Sequence, residues 1–160
     1  MTRVQRNLCR CLVVLVCLVG AVVVVQAQDD AAFIQYRQKV MTSNGANMGA
    51  IGDILKNKLP YQSNIQVHAQ EIQRMSTLIP GAFKKDVAAG KTDAKPEIWK
   101  EWDKFAAAAD ALGREAAELA TVAQGGNMEA IGAQVKKLSD TCGNCHKPYR
   151  KPKEESYKNK

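Results

Sequence analysis

Side chains that favour burial recur at steps of three and four residues from about residue 30 to residue 149. That period is the signature of amphipathic helix and limits the fold more than any other feature of the chain. Ile34, Arg37, Val40/Met41, Asn44, Met48, Ile51 and Leu55 share one face of a helix expected from Asp30 to Asn57, which ends before Leu59-Pro60. Ser63 is placed to cap a second helix, with Gln66 three residues on to close a capping box. Ile65, Ile72, Met75 and Ile79 form its apolar face, which stops at Pro80-Gly81. A loop rich in Gly and Lys leads through Ala94 to Pro96, a first-turn proline, with Glu97 beside the positive end of the helix dipole. The third helix runs through Ile98, Trp102, Phe105, Ala109, Leu112, Ala116 and Leu119 to about Ala123, where Gly125-Gly126 breaks it. The fourth starts near Asn127 and carries Met128, Ile131, Val135, Leu138, Cys142, Cys145/His146 and Tyr149 on one face.

No strand-like alternation, Rossmann glycine pattern or internal repeat interrupts this reading. Four amphipathic helices with short or moderate connections bury their stripes most economically against one another. The expected fold is all-α, an antiparallel four-helix bundle over residues 28–151, with helices roughly 30–42 Å long at 1.5 Å per residue.

The first 27 residues belong to a different class. They carry Arg3, Arg6 and Arg10, no acid, an apolar run from Leu12 to Val25, and Val25-Gln26-Ala27 before Gln28. A basic start, an apolar stretch and a small-residue site describe a secretory signal peptide, cleaved to release a periplasmic protein with no membrane span. The apolar run falls short of the roughly 20 residues a span takes. Of five cysteines, Cys9, Cys11 and Cys17 leave with that leader, so only Cys142 and Cys145 remain. One close pair excludes a multi-bridge disulfide scaffold.

Charge is just as localised. Residues 28–146 balance at 14 basic against 14 acidic side chains. The excess lies from Lys147 onward, in Lys147, Arg150, Lys151, Lys153, Lys158 and Lys160 against Glu154 and Glu155. Nucleic-acid binding wants a basic stripe with interleaved aromatics on a folded face, and this terminal, Pro-interrupted run is not one. Residues 152–160 read as a solvated, flexible basic tail, or as a steering patch for an acidic partner.

Cys142-Gly143-Asn144-Cys145-His146 is the most informative pentapeptide in the chain. Cys-x-x-Cys-His is the attachment signature of c-type haem. On a helix, positions 142, 145 and 146 lie three and four apart on one face. Two thiols so placed can form thioethers to one porphyrin while the imidazole reaches iron from the same side. A thioredoxin-like pair belongs at a helix N-terminus beside a sheet. Structural zinc needs a fourth ligand, for which only His68 is on offer, and His68 reads better as a solvated or capping residue. A plain disulfide across two residues would close a very small loop. One covalent haem c is the expected cofactor.

These helices, the C-terminal Cys-Gly-Asn-Cys-His-Lys-Pro-Tyr-Arg, Tyr36-Arg37-Gln38 and Ala94-Lys95-Pro96-Glu97-Ile98-Trp99 together resemble the class II c-type cytochromes, cytochrome c′ and its low-spin, methionine-ligated relatives. Cytochrome c′ is itself among the proteins that define the four-helix bundle, so fold and family are one expectation rather than two. The resemblance covers residues 31–151 and implies thioether roles for Cys142 and Cys145 and proximal iron ligation by His146. It implies further that Arg150 borders the proximal side and that Arg37 and Gln38 line the haem, Arg37 near a propionate. A surface salt bridge is the plainer alternative for Arg37. Asp93 and Glu97 would sit in the segment approaching the haem edge, with helix capping alone as their plainer alternative.

By the same resemblance, Met41 faces the distal side of the iron. Ligation there makes the iron six-coordinate and raises its potential, whereas a methionine that only fills core leaves it five-coordinate. Met48, about two turns on, reads as core. Two functions follow: an electron carrier meeting redox partner proteins, or a binder of nitric oxide or carbon monoxide. An enzyme is not expected, since no acid–base pair accompanies Arg37 on the distal side. Gly45, Gly49 and Gly52 form a small-residue edge that would admit a second helix, within the bundle or in a homodimer.

Overall fold

Long amphipathic stretches dominate a computed structural model of the chain, which describes the backbone over residues 3–159 and the side chains over residues 30–159. The leader expected over residues 1–27 lies outside the described side chains. Six α-helices are present among the described residues: α1 (Arg3–Lys56), α2 (Asn64–Ser76), α3 (Ile79–Phe83), α4 (Glu97–Lys100), α5 (Trp102–Gln124) and α6 (Met128–Tyr149). The long ones, α1, α2, α5 and α6, build an antiparallel four-helix bundle, with α2 packed on α1 and α5, and α6 on α5. The predicted stripes are what they bury: Ile51, Ile65, Ile72, Leu119, Ile131 and Leu138 are all closed to solvent. Each contributes roughly 1.5–3 kcal/mol of hydrophobic stabilisation. None of the helices among the described residues is long and apolar enough to cross a membrane.

The helix ends differ from expectation in instructive ways. The capping box at Ser63 does not form, because the Tyr61 and Gln62 carbonyls already accept from the Asn64 and Ile65 N–H groups. Ser63 therefore enters α2 in helical conformation, with no side-chain cap bond. The second stripe also breaks after Ser76, and Pro80 restarts it inside the short α3. Pro96 stands just before α4 rather than within its first turn. The third helix is split at Glu101, whose backbone (φ −120°, ψ 43°) leaves helical geometry before its carbonyl starts α5 by accepting from Phe105 N–H. Asn127, by contrast, caps α6: its Oδ1 accepts from Glu129 N at 3.0 Å and Ala130 N at 3.1 Å.

Gly113 marks where α5 comes closest to α2. A Cβ there would lie 2.6 Å from Ser76 Oγ, and that hydroxyl is held in place by its 2.7 Å bond to the Gln73 carbonyl. The glycines of α1 serve no such purpose within the chain: a Cβ at Gly45, Gly49 or Gly52 would meet nothing within 4 Å. Their edge seats no helix of the same bundle.

The tail also departs from the solvated, flexible run expected over residues 152–160. Two single 3₁₀ turns, Lys153–Glu155 and Tyr157–Asn159, fold it back onto the bundle. Ser156 is buried between them. Its hydroxyl donates to Asp93 Oδ2 at 2.9 Å, and Tyr157 N–H donates to Asp93 Oδ1 at 3.0 Å.

Gly113→Ala is expected to destabilise the protein by about 1–3 kcal/mol in chemical denaturation, the usual cost of overpacking. Adding Ser76→Ala should recover most of that loss by removing the clashing hydroxyl. Asn127→Ala should cost about 1 kcal/mol through its lost cap, while Ser63→Ala leaves the midpoint essentially unmoved. Equal effects at the two caps would contradict the described helix starts.

Candidate haem site

Asn127 caps α6, and the spacing of three and four residues along that helix brings Cys142, Cys145 and His146 onto one face. All three are half-buried, and all three line one cavity of about 800 Å³. That volume lies within the roughly 300–1,000 Å³ typical of cavities for small molecules and cofactors. Pro148 lies in the last turn of α6, which ends at Tyr149. Arg150 then turns extended, pairing antiparallel with Ala94 of the loop before α4. Lys95 N–H donates to the Tyr149 carbonyl at 3.0 Å and Lys151 N–H to the Asp93 carbonyl at 2.8 Å. The chain segment after the motif and the loop before α4 are thereby fastened side by side.

A second wall comes from α1, through Arg37, Gln38, Met41, Asn44 and Met48. Met41 and Met48 are both half-buried against the core. The side of α5 that completes the cavity is small and apolar at Ala108 and Ala109, leaving room between the helices.

Arg37 is only 2 % exposed. Its Nη2 donates to the Val87 carbonyl and, at 2.8 Å, to Thr92 Oγ1. The guanidinium also lies 5.3 Å from the Phe83 ring centre and 5.5 Å from that of Trp99. Burial lowers its pKa, against the opposing pull of Asp86, yet arginine remains charged in proteins. Its Nη1 has no protein partner, and neither has Asn44 Oδ1. A buried cationic donor left unsatisfied on a cavity wall is a place for an anionic group of a ligand, since the charge otherwise carries a desolvation cost.

The chemistry of the α6 face points the same way. Burial pushes the Cys145 thiol up to about 11, helped by the neighbouring Cys142, and raises Cys142 as well. The surroundings thus favour uncharged sulfur, which suits a thioether better than a metal thiolate. Burial, with Arg150 in second place, lowers the His146 pKa and keeps its imidazole neutral, as a metal ligand requires. Neither cysteine is paired in a disulfide. Among the described residues no three His, Cys, Asp or Glu side chains converge as a metal-binding group, so the zinc alternative finds no site. His68 instead joins α2 to α1, its Nδ1 lying 2.8 Å from Asn47 Oδ1. The residues present fit a haem c: two sulfurs and an imidazole on one face, and an unpaired guanidinium nitrogen for a propionate.

The remaining sequence-predicted residues divide. Gln38 lines the cavity, but its Nε2 is engaged with the Lys91 carbonyl at 2.8 Å and Tyr157 Oη at 3.1 Å. Asp93 lines it too, holding the tail through both carboxylate oxygens. Arg150 is an exposed lining residue. Glu97 is not among the residues lining the cavity, and its carboxylate sits 3.8 Å from Lys100 on α4. An i,i+3 pair one turn apart explains its placement. Thr92, Ser156 and Tyr157 line the cavity without having been singled out. Their sequence carries no motif, and only the loop and tail closing on each other bring them there.

The sequence model of the cytochrome c′ family matches residues 32–150. Cytochrome c′ of Rhodospirillum rubrum is 38% identical over 128 residues, 79% of this chain and 87% of that protein. Among solved structures, cytochrome c prime from Shewanella frigidimarina superposes with a TM-score of 0.70 at 27% identity, covering 77% of this chain and 97% of the other. A nitric oxide complex of a variant cytochrome c prime from Alcaligenes xylosoxidans gives a TM-score of 0.68 at 26% identity, with coverage of 77% and 97%. The thiols on α6, the cavity they line and the bundle around them are thus those of a haem protein with one haem c attached through Cys142 and Cys145, and the chain belongs to the cytochrome c′ family.

Proposed function

We propose that this chain is an exported, periplasmic electron carrier in which His146 is the proximal iron ligand and Met41 the distal one. The observation that carries the proposal is that Met41 on α1 and His146 on α6 line the same cavity from different helices. When bound, the haem supplies a one-electron iron couple, and methionine ligation raises its potential. The chain's own residues do the rest. Cys142 and Cys145 provide sulfur in surroundings that favour its uncharged form. His146 offers a neutral imidazole, and Arg37 offers Nη1 to a propionate oxygen. Arg37 is already committed to Val87, Thr92 and two aromatic rings, so it is poorly placed to shuttle protons, and no enzymatic role is assigned.

A second reading is a five-coordinate protein that binds nitric oxide or carbon monoxide, with Met41 only packing the distal pocket. Two observations favour it: Met41 is packed against the core, and the Alcaligenes xylosoxidans relative is solved with nitric oxide bound.

Absorption spectra of the oxidised and dithionite-reduced holoprotein, with and without carbon monoxide, separate the two. Under the electron-carrier reading the reduced protein shows sharp α and β bands that carbon monoxide barely alters. Met41→Ala then turns the resting iron high-spin, lowers its potential and opens it to carbon monoxide. A wild-type spectrum already high-spin, unmoved by Met41→Ala, establishes the gas-binding reading instead.

The lowered pKa of His146 has a definite sign. In the haem-free chain the neutral imidazole persists as pH falls through the ordinary histidine value of about 6.5, so the His146 ring resonances of the folded chain before haem attachment should stay at their neutral positions from pH 8 through that point. A midpoint at or above about pH 6.5 would show that the burial of His146 is not felt by its ring.

A further inference from the structure

The basic run that begins at Lys147 is the one strong feature of the sequence that haem attachment does not use. Residues 28–146 are balanced in charge, so this run holds the positive excess of the chain after the leader. The fold puts it in a particular place. Arg150, Lys151, Lys153 and Lys158 all line the haem cavity, and all except the half-buried Lys151 are exposed, so they form its rim. Asp93 is the one acidic side chain among the described residues lining that cavity. Both its oxygens are taken up by Ser156 and Tyr157.

The rim is held by a set of bonds that span the cavity's edge. Asp93 grips the tail at Ser156 Oγ and Tyr157 N, while Gln38 of α1 donates to Tyr157 Oη at 3.1 Å. Lys151 Nζ donates to the Thr92 carbonyl at 3.1 Å. The tail thus joins α6, the loop before α4, and α1. A chain segment needed only as a solvated terminus gains nothing from being ordered in this way, since ordering costs roughly 1–2 kcal/mol per residue in backbone entropy.

We propose that residues 151–159 are a clasp that fixes a basic rim at the haem edge, and that this rim docks an acidic partner protein for electron transfer. The step served is the passage of one electron from the ferrous haem to an oxidised centre in the partner, with no bond made or broken. Charge gathered at the point of electron exit steers an oppositely charged partner to the one orientation that is productive. The proposal rests on the electron-carrier reading. The spectra of Met41→Ala test that reading independently of the rim, so the two can fail separately.

The test uses the ferrous holoprotein, its covalent haem verified by intact mass, and two one-electron oxidants of opposite charge. Ferricyanide is trianionic and tris(phenanthroline)cobalt(III) tricationic. Lys153→Gln/Lys158→Gln removes charge without touching the clasp bonds. At an ionic strength of about 0.01 M, where the Debye length is about 30 Å, this variant should react at least about twofold more slowly with ferricyanide and about twofold faster with the cobalt complex. Both differences should vanish near 0.5 M salt. Ser156→Ala/Tyr157→Phe keeps every charge but loses the Ser156 hydroxyl bond to Asp93 and the Gln38 bond to Tyr157. It should show the same opposed rate changes, and trypsin should cleave after Lys153 and Lys158 several-fold faster.

Polyglutamate, standing in for an acidic protein face, should slow the ferricyanide reaction of the native protein and have far less effect on either variant. Rates that move in the same direction for both oxidants, unchanged rates, or unchanged proteolysis of the clasp variant would overturn the proposal. Failure of polyglutamate to compete would overturn it equally.

Discussion

A single buried cation organises the site. Arg37 projects from the middle of α1, packs beside Phe83 and Trp99, and bonds to the Val87 carbonyl and the Thr92 hydroxyl. A guanidinium taken out of water must be satisfied, and its planar fork of donors fixes the direction of each partner. The loop between α3 and α4 has few apolar anchors of its own, chiefly Val87 and Ala94. Arg37 therefore does for this loop what a hydrophobic stripe does for a helix. Thr92 passes the constraint on, its Oγ1 accepting from Ala94 N–H at 3.1 Å. Ala94 then pairs with Arg150, and Asp93 receives the tail. One guanidinium nitrogen, Nη1, stays buried and unbonded in this residue of the cavity wall.

The bundle's packing is uneven, and the unevenness makes the cavity. Where α2 and α5 meet, Gly113 allows close approach against Ser76. Next to it along α5, Ala108, Ala109 and Leu112 line space that α1 and α6 do not fill. Phe83, Phe105 and Tyr149 line the cavity as one aromatic group, with Phe105 and Tyr149 meeting edge to face at 5.4 Å and Trp102 packed behind against Phe105. Such rings bury large areas with few degrees of freedom. Empty apolar space of this size is costly in a protein interior, and a flat, mostly apolar cofactor that fills it is part of the core rather than a passenger.

Much of this was legible in the residue order. Periodicity placed the end of α1 and the start of α6 to within a residue, because burial of one face outweighs local propensity, although α1 begins at Arg3 rather than at Asp30. The Cys142, Cys145 and His146 spacing announced its cofactor because haem attachment demands those atoms on one helical face. Where the reading failed, local signals had been outbid by neighbours. Ser63 has the chemistry of a cap, but the turn before it already binds the Asn64 and Ile65 N–H groups and holds Ser63 itself in helical conformation. Glu97 sits in a segment that does approach the cavity, yet its own position on α4 turns it toward Lys100. The tail looked like a solvated run because five of its nine residues are charged, and charge runs usually are solvated. Two uncharged residues, Ser156 and Tyr157, reverse that outcome through Asp93 and Gln38.

By itself, then, the amino-acid order determined what depends on spacing along one helix: the four amphipathic stripes, the thioether pair with its adjacent imidazole, and the helix face that carries Arg37 and Met41. These are short-range properties, set by 3.6 residues per turn and by side-chain chemistry. Only the tertiary structure decided which of those residues share a cavity, that Arg37 keeps a buried nitrogen unpaired, and that Asp93 spends its charge on the tail. Those outcomes depend on contacts between residues 50 or more positions apart, as from Arg37 to Thr92 and from Asp93 to Ser156. Such contacts follow from how closely the packed helices approach, and no local period encodes that distance.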